Sequence, residues 1–146
     1  MADAQDRLTR AEIEAFATAL DFAREFAVRI VSIEPGEVTI ELPFEARFSG
    51  PPGQFPISIV GIAGDVAAVM SCLSLLPPAG DDFTVKMTGA AKGERLRAKG
   101  RVLQAGRTNS VGAADIYGVS GDDETLCRTV LAANGNFQIK PEKSAA

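Results

Sequence analysis

A run of about 20 mostly apolar residues, ISIVGIAGDVAAVMSCLSLL from Ile57 to Leu76, constrains the fold of this chain more than any other segment. The run has the length of a membrane-crossing helix, but it carries one carboxylate, Asp65, near its middle. A carboxylate at the centre of a lone span costs about 2.5–3.5 kcal/mol of insertion free energy. No Lys or Arg lies between Arg47 and Lys86 to orient a span. The sequence therefore predicts a buried helix of a soluble domain and no membrane partner.

Composition narrows the class of protein further. The chain has 146 residues, of which 46% are hydrophobic and 23% charged, a profile typical of one globular domain with its own core. The net charge of -4 and the isoelectric point near 4.9 argue against nucleic acid as the main partner, because phosphate binding requires a broad basic surface. The first ten residues lack the apolar run of a secretory signal. We therefore expect a single cytoplasmic domain over residues 1–146.

Histidine is absent from the sequence. Its absence removes Ser-His-Asp and Cys-His nucleophiles and every metal site that uses imidazole. Chemistry in this chain must use carboxylates, hydroxyls, amides or the backbone, and neither a metal nor a cofactor is expected. The two cysteines, Cys72 and Cys127, form no Cys-x-x-Cys motif. The sequence predicts that both are buried as small hydrophobic residues.

Start and stop signals divide the chain into two helices and about six strands. Thr9 and Glu12 form a capping box ahead of a short amphipathic helix over residues 10–21. The segment FAVRIVSIEPGEVTIELPF predicts a hairpin that turns at residues 34–37, and Pro56 suits the first turn of the long helix. Further strands are predicted over residues 82–88, 94–104, 109–118 and 124–139.

One nearly all-apolar helix beside about six strands predicts an α+β fold, in which a curved antiparallel sheet wraps around the helix. The helix is expected to end at residues 77–80, Pro-Pro-Ala-Gly. Gly61 and Gly64 each cost about 1 kcal/mol in a helix relative to Ala, so they indicate close packing on the sheet or on a partner helix. Residues 1–24 add a helical extension, and residues 140–146 form a loose tail.

With these elements in order, the chain resembles the hot-dog fold thioesterases, in particular the phenylacetic-acid-degradation type of acyl-CoA thioesterase. The resemblance covers about residues 26–137. It rests on EPGEVTIELPF, a Gly-rich loop before the helix that carries Asp65, TVKM, VLQAGRT and a closing hairpin around GDDETLC. It implies a hot-dog fold that pairs into a homodimer and then a homotetramer.

The resemblance also implies roles for individual residues. The family has His-Gly-Gly at the helix start, nine positions before a catalytic Asp; here the Asp is kept as Asp65, and Pro56-Ile57-Ser58 replaces the motif. Asp65 would act as base or nucleophile, the Ile57 N–H would polarise the thioester carbonyl across the dimer interface, and Thr84 would assist water. Gly50 occupies the position at which family members often carry an assisting Asn, so a hydrogen-bond donor is lost. Gln54 or Ser58 could supply a replacement donor.

Each of these assignments has a structural alternative. Asp65 could be a structural carboxylate bonded to a nearby hydroxyl or backbone group, or a relic of an ancestral site, and Thr84 an ordinary strand threonine. The segment between Met87 and Lys92 is shorter than in the family, so pocket residues there are not assigned.

Four cations alternate along one predicted strand. Strand geometry places them on one face and the intervening residues on the other. One interpretation is a solvated outer face whose charge is balanced by acidic residues. The other is that some of these cations hold the phosphates of coenzyme A together with Lys92 and with Arg107, the residue after Gly106. The cations are Arg95, Arg97, Lys99 and Arg101, and the opposite face carries Leu96, Ala98, Gly100 and Val102.

The function that the resemblance implies is hydrolysis of a small or medium acyl-CoA thioester. The alternative is a non-catalytic hot-dog module that binds an acyl thioester or a protein partner, an interpretation favoured by the loss of His-Gly-Gly. A hot-dog dehydratase or hydratase is disfavoured, because the dehydratase type relies on a catalytic histidine.

Overall fold

The computed structural model describes residues 8–48, 51–75, 80–87, 89–106 and 109–135, and for residues 48, 80–87, 109 and 131–135 it describes the backbone. Arg107, the predicted tail at residues 140–146 and residues 77–79 of the predicted helix-ending segment 77–80 lie outside the described residues.

Three α-helices are present in this part of the chain. Helix α1 spans Arg10–Ala19 and begins at the predicted capping box, in which the Glu12 N–H donates to Thr9 Oγ1 over 3.2 Å. The predicted helix over 10–21 is wrong at its end, because Leu20 is extended (φ -72, ψ 124) and starts a new short helix, α2 at Asp21–Glu25. Helix α3 spans Ile57–Leu73 and begins after Pro56, as predicted. It ends three residues earlier than the predicted run to Leu76, because Ser74 closes it as the C-cap residue.

In the described part of the chain, six strands form one antiparallel sheet. In space they follow the order β1-β2-β4-β5-β6-β3, which leaves β1 and β3 at the edges. The predicted hairpin is confirmed, and the other predicted strand limits within the described residues shift by at most two residues; the predicted end of the last strand at residue 139 lies outside them. The strands are β1 Arg29–Glu34, β2 Glu37–Pro43, β3 Gly80–Met87, β4 Arg95–Ala105, β5 Asn109–Ser120 and β6 Asp123–Gly135.

Helix α3 packs across one face of the sheet and forms the core. Twelve of its residues are buried, including Cys72. The predicted alternation in β4 is confirmed, since Leu96 and Ala98 are fully buried in the core cluster. Cys127 in β6 is also buried. The predicted α+β architecture, a sheet around one long helix, is therefore confirmed.

The helix lies against the sheet with almost no space between backbones. A Cβ added at Gly64 would lie 2.7 Å from Val130 Cβ and 2.9 Å from Ile116 Cδ1. On the sheet side, a Cβ at Gly100 would overlap Ala67 O on the helix. The close packing predicted for Gly64 is thus confirmed, and glycines on both surfaces make it possible.

Two serines fix the C-terminal half of α3 to the β1–β2 hairpin. Ser71 is fully buried; its Oγ accepts the Val38 N–H over 3.0 Å and donates to Ala67 O over 2.7 Å. Ser74 Oγ accepts the Gly36 N–H over 2.8 Å. These bonds tie one end of the helix to β2, so the position of α3 along the sheet is fixed.

Candidate active site

The entrance to α3 offers backbone donors. Pro56 is the N-cap residue with extended ψ of 148 and no side-chain cap. Its carbonyl accepts the N–H groups of Ile59 and Val60, whereas the N–H groups of Ile57 and Ser58 have no acceptor among the described residues. The first N–H groups of a helix lack intrahelical partners and carry the positive end of its dipole. This end of α3 can therefore polarise a carbonyl oxygen.

The first two residues of α3 carry side chains where the His-Gly-Gly motif of the resembled family has two glycines. Ile57 is 48% exposed and Ser58 is exposed, so both occupy space that a ligand would need to reach the backbone. Their exposure means that they can turn aside without opening the core.

Asp65 lies on the flank of α3 that faces β6 and β3. Helix residues are about 100° apart, and three contacts fix the orientation: Ala67 lies over Gly100 in β4, Ala68 over Gly112 in β5, and Gly64 over Val130 in β6. Asp65 is the residue after Gly64, so its side chain is rotated about 100° around the helix axis from Gly64, away from β4. Its side chain is half-buried and its Oδ1 atom is enclosed.

The loop before α3 meets the segment before β4. Gln54 and Lys92 form an antiparallel bridge, and the Phe55 N–H donates to Ala91 O over 2.8 Å. The Phe55 ring packs edge-on against Phe44 at 5.1 Å. Two predicted site residues, Gln54 and Lys92, are thus brought together near the start of α3, with Lys92 exposed.

Other predicted site residues do not meet within one chain. Ile57 and Asp65 are eight positions apart, which is about 12 Å along a helix. Gly106 follows the eleven-residue strand β4 at the end opposite to Lys92, a separation of roughly 35 Å. The structure describes Thr84 by its backbone, which pairs with Leu131 of β6.

The basic row of β4 lies on the outer face of the sheet, and its four cations are paired with acids. Arg97 contacts Glu124, Lys99 Nζ lies 2.9 Å from Glu124 Oε2, and Arg101 Nη1 lies 2.7 Å from Asp115 Oδ2. These pairs agree with the interpretation of a balanced outer face. A phosphate would have to compete with acidic partners already in place.

Glu41 is the buried centre of this face, with 4% of its surface exposed. Its carboxylate accepts from Arg29, from Arg95 Nε over 3.2 Å and from Arg97 Nε over 2.7 Å. Burial raises the pKa of Glu41, but the hydrogen bonds from the three arginines outweigh burial and hold this pKa below its usual value. A pocket of about 240 Å³ beside it is lined by Ala27, Arg29, Glu41, Leu42, Pro43 and Arg95.

Sequence reasoning missed two charged residues. Glu41 in β2 was not singled out, and cross-strand partners bury it. Arg128 in β6 is 6% exposed and was not singled out. Its position two residues before the buried Val130, in phase with it, was a signal that could have found it.

Comparison with known proteins identifies the fold. No protein-family model and no curated sequence matches the chain. A thioesterase family protein from Silicibacter pomeroyi is similar in structure, with a TM-score of 0.77, 24% identity, and coverage of 83% of this chain and 92% of that one. Zebra fish thioesterase superfamily member 2 has a TM-score of 0.70 and 22% identity, with coverage of 85% of this chain and 92% of that one. A phenylacetic acid degradation-related protein from Ralstonia eutropha has a TM-score of 0.68 and 17% identity, with coverage of 83% of this chain and 96% of that one.

These likenesses lie below 25% identity and define the fold: the chain has the hot-dog fold of the thioesterase superfamily. The hot-dog fold that the resemblance implies is therefore confirmed. No described helix is long and apolar enough to cross a membrane.

Proposed function

We propose that the chain hydrolyses small or medium acyl-CoA thioesters as a homodimer, with Asp65 activating water and the Ile57 N–H of the second protomer polarising the carbonyl. The observation that carries this proposal is the half-buried Asp65 carboxylate on the open flank of an otherwise apolar helix. A carboxylate can serve as a general base, and a backbone donor can stabilise charge on a carbonyl oxygen.

The spacing on α3 supports a site shared between two chains. A reacting carbonyl group is shorter than 2 Å, whereas Ile57 and Asp65 are about 12 Å apart along one helix. Two helices related by a twofold axis could place the start of one beside the middle of the other. Strand β3 lies at a sheet edge, and an edge strand can pair with its copy to hold such a dimer together.

Hydrolysis of an acyl-CoA panel from acetyl to octanoyl, followed by released thiol, tests the role of Asp65. Asp65→Asn should lower kcat by about 10²–10⁴-fold, the usual contribution of a general base. Asp122→Asn makes the same chemical change at an exposed turn residue and should leave kcat unchanged. Wild-type activity in Asp65→Asn contradicts the proposal.

The role of the Ile57 N–H can be tested separately because Ile57 is the first residue of α3. Proline is tolerated at this position and has no N–H, so Ile57→Pro removes the donor while preserving the helix. It should lower kcat by about 10²–10³-fold. Ile57→Ala keeps the N–H and should retain activity; equal activity in the two variants contradicts the role of this N–H.

Mixing the two inactive variants tests whether the site crosses the interface. Asp65→Asn chains supply the donor and Ile57→Pro chains supply the acid, so a heterodimer holds one complete site of two. After equal mixing and subunit exchange, about a quarter of wild-type activity should return. A mixture that exchanges subunits and stays inactive refutes the shared site.

A second candidate function is acyl thioester binding without turnover. It is favoured by the exposed Ile57 side chain at the place where the family has glycine. Binding of acyl-CoA by wild-type protein that hydrolyses no member of the panel would favour this candidate.

A further inference from the structure

Arg128 is a charged residue buried on the helix side of the sheet. It lies opposite Ile116 of β5 and Met87 of β3. Val130, two residues later in the same strand, packs on Gly64, and alternate residues of a strand share a face. The Arg128 side chain therefore projects toward α3 at the level of Gly64 and its neighbour Asp65.

Asp65 and Arg128 border the same corner of the fold. Asp65 is on the flank of α3 next to β6, and Arg128 is in β6. Asp65 is half-buried whereas Arg128 is 6% exposed, so Arg128 as a residue is less accessible from solvent than Asp65. A substrate that presents its thioester to Asp65 and keeps its large coenzyme A portion in solvent would extend its acyl group toward Arg128.

The guanidinium is incompletely bonded. Nη1 donates to Cys127 O over 2.6 Å, whereas Nε is enclosed and makes no hydrogen bond in the described part of the chain. Leaving a buried donor unpaired costs about 1–3 kcal/mol, and more when the group is charged. A ligand oxygen that accepts from this edge would recover that free energy.

We propose, as an inference that rests on the proposed function, that Arg128 selects substrates whose acyl group ends in a carboxylate. An arginine edge binds a carboxylate through two parallel N–H donors, a geometry that a lysine cannot reproduce. The substrate class is then a coenzyme A thioester of a dicarboxylic acid. A phosphate of coenzyme A is excluded as the ligand of this residue by the same accessibility argument, because the nucleotide stays outside.

Two inert coenzyme A thioethers test this assignment independently of hydrolysis: S-(3-carboxypropyl)-CoA and S-butyl-CoA. Their affinities for wild-type protein are measured by calorimetry. The carboxylated probe should bind roughly tenfold to hundredfold more tightly. Arg128→Gln should abolish this preference, and Arg128→Lys should retain only part of it.

Arg101→Gln provides the matched control, because it removes the same charge from the outer face and should leave the preference unchanged. Equal binding of the two probes by the wild-type protein, or an unchanged preference in Arg128→Gln, overturns the assignment; so does the absence of binding by both probes. A preference that depends on Arg128 in a protein that hydrolyses nothing supports the assignment and refutes the hydrolase proposal. Arg128→Lys keeps the test decisive if Arg128→Gln fails to fold.

Discussion

Replacing Gly64 by alanine should destabilise the protein, although alanine is the better helix former. The added methyl carbon would lie 2.7 Å from Val130 Cβ, overlap Val130 Cγ2 and lie 2.9 Å from Ile116 Cδ1. Val130 Cβ is fixed to the backbone of β6, so rotation of the side chain cannot relieve this contact. Helix α3 or strand β6 must move by about 1 Å to restore ordinary contact distances.

The expected magnitude is a difference of two terms. Overpacking in a dense core costs about 1–3 kcal/mol, and contact with a backbone-fixed atom favours the upper end. Alanine recovers about 1 kcal/mol of helix propensity relative to glycine. The net loss in the free energy of unfolding should be about 1–2 kcal/mol, which lowers Tm by roughly 3–8 °C in a chain of this size.

Denaturant unfolding followed by circular dichroism, at fixed protein concentration, measures the effect of Gly64→Ala. The double variant Gly64→Ala/Val130→Ala should lose less free energy than the sum of the single variants, because it removes the overlapping carbon. A Gly64→Ala protein as stable as wild type would refute the close-packing argument. Because Asp65 is the next residue, the displaced helix should also lower activity.

Two further changes test the contacts that position the sheet. Ser71→Ala leaves the buried Val38 N–H without its acceptor and should cost about 1–3 kcal/mol of unfolding free energy. Ser74→Ala removes a half-buried acceptor and should cost less. A larger loss of unfolding free energy in Ser74→Ala than in Ser71→Ala contradicts the assigned roles of the two serines. Glu41→Gln should cost roughly 2 kcal/mol at neutral pH. Because the pKa of Glu41 is lowered in the folded protein, its stabilisation is complete above the usual value of 4.5 and is lost as the pH falls through the folded pKa. The stability difference between wild type and Glu41→Gln should therefore shrink below about pH 4.5, and a difference that is constant down to pH 2 contradicts the assigned pairing.

Most elements of this fold could be predicted because they have a local signal. The capping box at Thr9 and Glu12 marked α1, the turn at 34–37 marked the β1–β2 hairpin, and Pro56 marked the start of α3. The alternation of β4 separated its cations from its core residues. Such signals depend on neighbours in sequence, so they gave the element types and approximate limits.

The misplaced residues depend on contacts distant in sequence. Glu41 is buried because β4 pairs with β2 and sets Arg97 opposite it, while β1 brings Arg29 from the other side. Alternation within β2 carries no information about those partners. Lys92 and Gly106 were grouped as one phosphate site, yet the eleven residues of β4 hold them at opposite ends. Grouping by residue type carries no information about strand length, which sets this distance within one chain.

The two flanks of α3 explain why one carboxylate occurs in an apolar helix. One flank carries Ile59, Ala63, Val66 and Met70, all buried within the chain. The flank that faces β6 and the edge strand β3 carries half-buried Asp65, and β6 itself carries the buried Arg128. An edge strand is where a second copy can extend the sheet, so this polar flank is also the one that a second copy would approach. A charge is tolerated there because the core lies on the other side of the helix, and in the proposed dimer the same position would give it access to a substrate and to the donors of a second α3.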